Sequence, residues 1–326
     1  MKLLRLGFIF SIIALACFLF MGTGKAISAE ITIRIGSPFK SGTIVVDAAE
    51  KFKELVEKGS GGRIEVKIDA GTKAEIEINK MNRAGELEMQ SNGTNFLELY
   101  APPYYFFTAP YVMKDFDHYM RAWNGKLGQE ARAQLEKNDL KYLATIYRGL
   151  RQTTTKKPVY TPADVYNLKL RLPPVPTWMA VWKAMGTDPV GVPLPELYNS
   201  LKTGKAEASE GDLPQIAGFK LYEVQSHLIM TNHMAQTAGI LINKPFFDKL
   251  SKADQDLIVK AGKEAEEWAN NKIKTDEGAT LVDLQRKGMQ VVIPDADSFR
   301  AKARDTVNEL FKTQWSVTTW AEVLAQ

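Results

Sequence analysis

The sequence predicts an α/β protein built from two lobes, and three observations lead to this prediction. Strand-like and helix-like segments alternate along the chain, an order that is typical of a mostly parallel sheet covered by helices. The chain has 326 residues, which is more than a single compact core usually accommodates. A polar and basic segment at 152–158 separates two such series of strands and helices.

The first 29 residues are predicted to be a secretory signal peptide. Lys2 and Arg5 form a short basic start, Leu6–Gly22 is almost wholly apolar, and small residues follow at 26–29. This order predicts export followed by cleavage. The alternative is a membrane anchor, but the apolar run is slightly short for a span. Cys17 lacks the leucine three positions earlier that a lipoprotein signal carries, so we expect no lipid attachment.

The charge balance of the chain argues against two classes of partner. Removal of residues 1–29 takes away three of the 42 basic residues and none of the 38 acidic ones, which leaves a net charge of +1. Such a balance favours neither nucleic acid nor an anionic membrane surface. Residues 30–326 contain no cysteine, so the protein needs neither a disulfide nor a thiol and is suited to an oxidising compartment.

The first series of elements begins at residue 30. Ile31–Ile35 alternates apolar and polar residues and is predicted to be a strand, while the apolar stripe of Ile44–Lys58 predicts a helix that ends at a glycine-rich turn. The remaining elements of this series are a strand at 63–68, a helix at 75–84, a strand from residue 87, one or two helices within 114–138, and a strand at 142–147.

The second series follows residues 152–158, which are expected to be extended. Its elements are a helix start or turn at 161–164, strands at 168–172, 189–193 and 206–209, and helices at 178–185 and 196–203. The chain ends with a return strand at 228–239, a long helix from Ser251 to about Lys287, a strand at 289–293 and an amphipathic helix at 298–314. Ser251–Asp254 resembles a capping box, and Gly278 is a point at which the long helix could bend or break.

The sequence contains no recognisable catalytic or metal-binding motif. It lacks the glycine patterns of phosphate and dinucleotide sites, the His-Glu-x-x-His pattern, and any cysteine after residue 29. His118, His227 and His233 are isolated from one another, and a lone histidine is more often structural than catalytic. The aromatic run Tyr104–Phe107 is most simply core. We therefore expect no enzyme activity, no cofactor and no metal site.

Arg171 differs from the other charged residues because of its place at the end of a predicted strand. Leucines alternate along 168–172, and Lys169 and Arg171 occupy the opposite face. The simplest interpretation is an exposed basic face. The alternative is that Arg171 faces a ligand, because ligands of α/β folds bind beyond the carboxyl ends of the strands. The planar fork of arginine matches a carboxylate or sulfonate with two hydrogen bonds.

Five stretches with a characteristic order are distributed along the chain. They are Arg151–Thr154, Pro162–Asp164 running to Lys169–Arg171, Glu196–Tyr198 with Leu201–Gly204, Lys220–Gln225 with Met230–His233, and, more weakly, Ala109–Val112. In this order and spacing the chain resembles the periplasmic substrate-binding subunits of tripartite ATP-independent periplasmic (TRAP) transporters, the dicarboxylate- and sialic-acid-binding type of family 7. The likeness covers essentially all of 30–326.

The resemblance implies an α/β, two-lobed periplasmic binding protein fold, with a hinge and a long helix that spans both lobes. On this basis residues 1–29 are the signal peptide. Lobe I is expected at 30–150 plus about 236–276, lobe II at 151–235 plus about 277–305, and a C-terminal helix region at about 306–326.

The resemblance also implies a periplasmic receptor for a small organic anion, either a carboxylate or a sulfonate. The receptor is expected to be a monomer that closes on its ligand and delivers it to the small and large TRAP membrane subunits, driven by an ion gradient without ATP. Two alternatives belong to other classes. One is a periplasmic enzyme that acts on an organic acid with Glu210 or Asp212 as its base, and the other is a ligand-sensing adaptor.

Two arginines carry the expected binding site. The family arginine that grips the ligand carboxylate falls on Arg171, and a second arginine of the sialic-acid branch falls on Arg151. The chain also departs from the family pattern. Gly211 stands where an asparagine contacts ligand, Gly93 where the sialic-acid branch has a glutamate, and Leu194 where it has an aromatic residue. These departures argue against sialic acid as the ligand.

Five other residues are expected to contact the ligand. Glu210 and Asp212 could meet an amine or hydroxyl of the ligand, or Glu210 could only brace its loop, and both interpretations stay open. Asn92 is a further expected polar contact. Phe39 and Trp178 either fill volume or stack on the ligand, and a pocket narrowed by them would suit a small acid.

Overall fold

The computed structural model describes residues 29–326, so the predicted signal peptide and Cys17 lie outside the described residues, apart from residue 29. The strands are β1 (Ile31–Ser37), β2 (Ile64–Ala70), β3 (Met89–Gly93), β4 (Leu140–Thr155), β5 (Lys169–Leu172), β6 (Asp188–Gly191), β7 (Ala208–Asp212), β8 (His227–Asn243) and β9 (Gln290–Val292). The helices are α1 (Ile44–Gly59), α2 (Glu75–Ala84), α3 (Asn95–Tyr100), α4 (Phe116–Asn124), α5 (Lys126–Glu136), α6 (Pro176–Ala184), α7 (Leu197–Lys202), α8 (Leu213–Gly218), α9 (Lys244–Asp248), α10 (Lys252–Arg286), α11 (Ala296–Thr313) and α12 (Trp320–Leu324).

The predicted strands and helices from residue 30 onwards are all present, with ends that mostly differ by a few residues, except that the strand predicted at 142–147 continues to Thr155. The segment 114–138 forms two helices, α4 and α5, on either side of Gly125. The predicted turn at 161–164 is a 3-10 segment closed by a capping box between Thr161 and Asp164. The short helices α3, α8, α9 and α12 are not predicted, because five or six residues carry too little periodicity to identify a helix.

The strands form one continuous sheet in the order β2-β1-β3-β8-β4-β7-β5-β6, with β9 paired to β8. At one end β2, β1 and β3 are parallel, and at the other end β6, β5 and β7 are parallel. This confirms the α/β prediction for both series. Between these ends β8 runs antiparallel to β3, β4 runs antiparallel to β7, and β8 and β4 are antiparallel to each other.

The two central strands are shared by both ends of the sheet. The carboxyl-terminal half of β8 pairs with β3, and the carboxyl-terminal end of β4 pairs with β7. The β4–β8 register shifts between Tyr142 and Ala144, between Tyr147 and Gly149, and between Arg151 and Thr153. Such irregularities bend a strand pair, and Gly149 adopts a φ of +104°, which glycine tolerates best. The β4–β8 pair is therefore irregular at this point, and the predicted lobe boundaries near 150 and 236 stay a prediction.

The long helix α10 contains 35 residues and lies along β4. Its side chains bind backbone groups of β4 next to the register shifts. Glu266 Oε2 accepts from Thr145 N at 2.5 Å, Asn270 Oδ1 accepts from Tyr147 N at 2.7 Å, and Glu277 Oε1 accepts from Leu150 N at 3.2 Å. The helix thus satisfies donors that the ladder leaves free.

Ser251 caps the start of α10 by accepting from Asp254 N, while its own hydroxyl donates to Asp254 Oδ2 at 2.7 Å, so half of the predicted capping box is present. The expectation of a break at Gly278 is wrong, because the helix continues through it to Arg286, while the alternative of a bend stays a prediction. One glycine costs a helix only about 1 kcal/mol, which tertiary contacts outweigh. Within 29–326 no helix combines the length and apolar character needed to cross a membrane.

Two apolar cores support the sheet. A smaller one near β7 and β8 contains Leu201, Leu213 and Leu284, and the larger one includes the aromatic run predicted as core. In the larger core Phe106 lies 6.5 Å from Trp315 and 5.3 Å from Phe311, ring centroid to centroid. The C-terminal helices are therefore packed against the first series, while α11 also contacts α6 of the second.

Candidate functional site

Arg171 is buried at the carboxyl end of β5, with 1% of its surface exposed. Its Nε donates to the Val192 carbonyl at 2.9 Å, and its Nη2 has no partner among residues 29–326. Burial lowers the pKa of Arg171 to about 10, against the opposing charge of Glu210, so the guanidinium is still cationic at neutral pH. The exposed-face interpretation is wrong for Arg171 and holds for Lys169, which is exposed.

Two other buried donors, one beside Arg171 and one beside Arg151, also lack partners within the described chain. Ser209 of β7 pairs in register with Arg171, and its hydroxyl is buried without a hydrogen bond. Trp178 is buried in α6, and its Nε1 is unpartnered. A buried donor without an acceptor costs about 1–3 kcal/mol. Together these groups offer N–H and O–H donors to an acceptor-rich molecule.

Arg151 lies on β4, and its fork is already engaged by a carboxylate. Its Nη2 donates to Glu210 Oε1 at 2.6 Å, and its Nε donates to Glu210 Oε2. Its Nη1 donates to Gln236 Oε1 at 2.9 Å, and its Cζ lies 5.2 Å from the centroid of the Trp178 ring. Arg151 therefore differs from Arg171, because most of its five N–H donors are used inside the protein.

Glu210 of β7 is completely buried between two partners. Its Oε2 also lies 3.1 Å from His233 Nε2. Burial by itself would raise the pKa of Glu210, but the charge of Arg151 and the hydrogen bonds from His233 and Arg151 outweigh it and hold that pKa well below its usual range. Glu210 is therefore a permanent anion, and this geometry supports the bracing interpretation. Its contact with a ligand stays a prediction.

His233 completes this buried group. Burial lowers the pKa of His233 against the opposing effect of Glu210, and the neutral ring fits its neighbours. In the tautomer that matches the contacts, Nε2–H donates to Glu210 and Nδ1 accepts from the Thr231 hydroxyl at 2.9 Å. Its ring stands edge-on to Trp182 at 5.0 Å. Sequence reasoning does not single out His233, because a histidine without a neighbouring partner along the chain carries no signal.

Asp212 and Phe39 meet through Arg148, a residue that the sequence analysis does not identify. Asp212 Oδ1 accepts from Gln215 N at 2.8 Å and caps α8. Arg148 Nη2 lies 2.9 Å from Asp212 Oδ2, an ion pair whose angle is outside the range of a hydrogen bond. The Arg148 Cζ lies 4.6 Å from the Phe39 ring centroid. Asp212 thus has protein partners on both oxygens, and its contact with a ligand stays a prediction.

Asn92 is buried on β3 and bonded within its own lobe. Its Nδ2 donates to the Glu75 carbonyl at 3.2 Å and to Gln90 Oε1 at 2.9 Å, and its Oδ1 accepts from Gly93 N at 2.8 Å. These contacts hold the end of β3 and the start of α2 together. These contacts do not show whether Asn92 also touches a ligand, so that role stays a prediction.

The described residues hold no group of three or more histidine, cysteine or acidic side chains placed to bind a metal ion. Two surface depressions of about 580 and 530 Å³ are lined by other parts of the chain. The first includes Lys80 and Arg83, and the second includes Lys156 and Tyr222. Neither contains Arg171 or Arg151, so the buried arginines define a separate site.

The buried pair His233 and Glu210 predicts a loss of stability in acid. Both have lowered pKa values in the folded state, so the unfolded chain binds protons first as the pH falls. The part of the stability that comes from His233 is present above about pH 6.5, its unfolded pKa, and is lost below it.

We expect the melting temperature to fall between pH 7 and pH 5, and to fall less in His233→Gln. Thermal unfolding across this range measures the effect. His227→Gln, a change at a half-buried histidine, is the control. An equal fall in melting temperature with pH for the wild type and both variants would contradict the assignment.

Comparison with known proteins places the chain among binding proteins. A model of bacterial extracellular solute-binding protein, family 7, matches residues 35–316. The chain is 28% identical to the sialic acid-binding periplasmic protein SiaP of Vibrio cholerae, over 86% of this chain and 88% of that protein. It is 29% identical to the 2,3-diketo-L-gulonate-binding periplasmic protein YiaO of Escherichia coli, over 81% of this chain and 82% of that protein.

Solved structures of similar proteins contain bound organic acids. A TRAP periplasmic solute-binding protein from Roseobacter denitrificans with bound L-galactonate is 27% identical, with a TM-score of 0.79, and covers 88% of this chain and 98% of its own. A TRAP periplasmic solute-binding protein from a Polaromonas species bound to D-erythronate is 26% identical, with a TM-score of 0.83, and covers 91% and 99%. The likeness therefore extends over nearly all of the described chain.

Proposed function

We propose, from the premise that the chain belongs to bacterial extracellular solute-binding protein family 7, that it holds one small organic anion at Arg171 between its two lobes. The chain is a solute-binding protein of the TRAP type. One observation carries the assignment of the anchor. Arg171 is a buried, cationic guanidinium whose Nη2 donors have no protein acceptor within 29–326.

A carboxylate or sulfonate supplies what this environment lacks. Its oxygens can accept two parallel hydrogen bonds from the arginine fork. The Ser209 hydroxyl and the Trp178 indole N–H, both buried and unpartnered, can donate to the same oxygens or to a neighbouring group of the ligand. Water is largely excluded there, so each charged hydrogen bond contributes about 1.5–3 kcal/mol.

Arg151 has a supporting role in this proposal. The two Glu210 oxygens bind the Nε–Nη2 edge of its fork and Gln236 accepts from Nη1, which leaves about one Nη1–H for a ligand. Glu210 also compensates the charge of Arg151, so that two guanidinium groups can lie in one buried region. We infer that Arg151 shapes and orients the site and adds at most one hydrogen bond to the anion.

The proposed biological role is delivery of the anion from the periplasm to the small and large TRAP membrane subunits. The organic acids bound by similar proteins of known structure support the ligand class. A ligand-sensing adaptor would use the same cleft, so genes for a small four-span and a large multi-span membrane protein beside this gene would favour transport. We propose binding without catalysis, because the Glu210 carboxylate is too weak a proton acceptor to act as a base.

Identification of a bound molecule tests the proposal directly. Protein purified gently from the periplasm is expected to carry an anion that native mass spectrometry detects and that denaturation releases. Calorimetry with the released compound should give one site per chain. Retention of a cation or a neutral lipid in place of an acid would contradict the proposed function, and conversion of the compound during incubation would favour the enzyme.

The near-complete burial of Arg171, Arg151 and Glu210 predicts a conformational change. A ligand can reach these side chains only when the lobes separate, and the register shifts of β4 allow this bending. We expect the radius of gyration from small-angle X-ray scattering to decrease when the ligand is added to stripped protein. Arg171→Ala should show no decrease at the same ligand concentration. Identical curves with and without ligand for the wild type would count against closure.

A further inference from the structure

The carboxylate of Glu75 occupies the space in which a side chain of residue 93 would stand. Gly93 is the last residue of β3 and pairs with Ala238 of β8. A Cβ atom at Gly93 would lie 2.6 Å from Glu75 Oε1 and 3.1 Å from Glu75 Cδ. Any larger residue at this position would displace the carboxylate. Only glycine at 93 leaves room for the Glu75 carboxylate in this position. The carboxylate at the start of α2 therefore lies against the end of β3.

Glu75 is held in this position by its place in the fold. It is the first residue of α2, where the helix dipole favours an anion. Its backbone carbonyl accepts from the Asn92 side chain at 3.2 Å, and its Oε1 accepts from Asn95 N at 3.3 Å. No other residue within 29–326 donates a hydrogen bond to the carboxylate. One oxygen is thus left to accept hydrogen bonds from another molecule.

Further polar groups beside Glu75 also lack partners. Asn95 Oδ1 and Gln90 Nε2 are both buried and unpartnered among the described residues. Gln90 contacts Asn92 through its other amide atom, and the Asn95 amide N–H₂ donates to Glu98 at 2.7 Å. These groups and Glu75 form a second polar cluster, distinct from Arg171 and Ser209, that is suited to a polyhydroxylated or ammonium-bearing group.

The polar cluster lies close to the arginine site along β8. Burial raises the pKa of Tyr105, the charges of Glu98 and Glu75 raise it further, and the charge of Arg151 lowers it. Tyr105 therefore lies near both the acidic residues of the polar cluster and Arg151. Arg148, whose charge opposes the effect of burial on the pKa of Glu75, pairs with Asp212 of β7. Gln236, which binds Arg151, is two residues from Ala238, the partner of Gly93 on β8.

Two arginines near this site are paired with an acid, whereas Arg171 and two acids, Glu75 and Glu98, have no such partner among the described residues. Arg151 is paired with Glu210, and Arg148 with Asp212. Arg171 has no acidic partner within 4 Å among the described residues, and Glu75 has no basic one. Burial raises the pKa of Glu75, so its charged form is stabilised when a ligand brings a hydrogen-bond donor or a cation to it.

We infer that Glu75 is a specificity-determining residue, and that the cleft takes a monocarboxylate whose far end carries hydroxyl or ammonium donors in preference to a dicarboxylate. This inference rests on the proposed function of Arg171. The carboxylate of the ligand binds Arg171, and donors at its other end bind the free oxygen of Glu75. A second carboxylate at that end would bring no donor to the free oxygen of Glu75 and would repel its charged form.

Calorimetry with acids that differ only at the far end tests the preference. The probes are D-erythronate against meso-tartrate, L-galactonate against galactarate, and 4-hydroxybutyrate and 4-aminobutyrate against succinate. A charged hydrogen bond gained or lost corresponds to about 10- to 100-fold in affinity, so we expect at least about tenfold tighter binding of the monoacid in the pair that binds best. The last set separates hydroxyl from ammonium donors.

Variants of Glu75 and Gly93 test whether this residue is the cause. Glu75→Gln should reduce the ratio of diacid to monoacid dissociation constants by about tenfold, the lower limit for one charged hydrogen bond. Gly93→Ala should reduce the ratio in the wild type by displacing Glu75, and should have no further effect in Glu75→Ala. Glu77→Gln, an exposed acid on the same helix, is the control and should leave the ratio unchanged.

The outcomes separate this inference from the proposed function. Diacids that bind as tightly as the matched monoacids, or an unchanged ratio in Glu75→Gln, would overturn the inference while Arg171-dependent binding still stands. If none of the seven probes binds, the ligand class is overturned. The proposed function is then judged separately, from the acid released by purified protein and its dependence on Arg171.

Discussion

Replacement of Arg171 by alanine is expected to weaken binding of the released ligand by more than about 100-fold. The substitution removes the one guanidinium of the cleft whose Nη2 has no protein acceptor within 29–326 and leaves a desolvated anion without a partner. Loss of one member of a buried charged pair costs about 3–5 kcal/mol, and 1.4 kcal/mol corresponds to a tenfold change in affinity. Isothermal titration calorimetry measures the change.

The same substitution should hardly affect the stability of the unliganded protein. Arg171 makes one side-chain hydrogen bond inside the described chain, to the Val192 carbonyl, and its buried charge has no carboxylate within 4 Å. Arg171→Lys keeps the charge but loses the planar fork, so we expect intermediate affinity. Lys169→Ala, an exposed basic residue of the same strand, should bind as the wild type does. An affinity loss shared by Lys169→Ala and Arg171→Ala would show that the strand, and not the fork, matters.

Replacement of Glu210 by alanine is expected to destabilise the fold by about 3–5 kcal/mol, the usual cost of orphaning a buried charge. Arg151 is 4% exposed and would lose both bonds to its carboxylate. His233 would lose the acceptor of its Nε2–H as well. Chemical unfolding in urea, followed by tryptophan fluorescence, measures the free energy of unfolding.

A double substitution distinguishes bracing from ligand contact. If Glu210 mainly compensates Arg151, the pair Glu210→Ala with Arg151→Met should be more stable than Glu210→Ala alone, since no buried charge is then left unpaired. The conservative Glu210→Gln should lower stability by less than Glu210→Ala. A Glu210→Gln protein of normal stability that no longer binds the ligand would favour the direct contact that the sequence analysis also allowed.

The order of the elements could be predicted from the sequence because local patterns determine it. Alternation in Ile31–Ile35 and the apolar stripe of Ile44–Lys58 hold in the structure because each segment buries one face. The continuity of β4 through Arg151 to Thr155 was harder to predict. That half of the strand is polar because it lies beside the cleft, so it lacks the apolar pattern by which strands are recognised.

The candidate site was only partly predictable, since its chemistry depends on residues that are distant along the chain. Both Arg171 and Arg151 are predicted ligand contacts, but Glu210 engages Arg151 and leaves Arg171 with free donors. His233 and Arg148 carry no signal of their own. Each acquires its role from partners more than 20 residues away, His233 from Glu210 and Arg148 from Asp212.

The sequence by itself determined the two α/β series, the long capped helix and the presence of a permanent cation at the end of a strand. These features depend on periodicity, capping and the pKa of arginine, which are local properties. Only the tertiary structure decided which arginine is free, which carboxylates are already paired, and that Glu75 stands in the place of a side chain at Gly93. Charge compensation and burial act through space, so the pairing of β4 with β7 and β8, and not the spacing along the chain, brings these groups together.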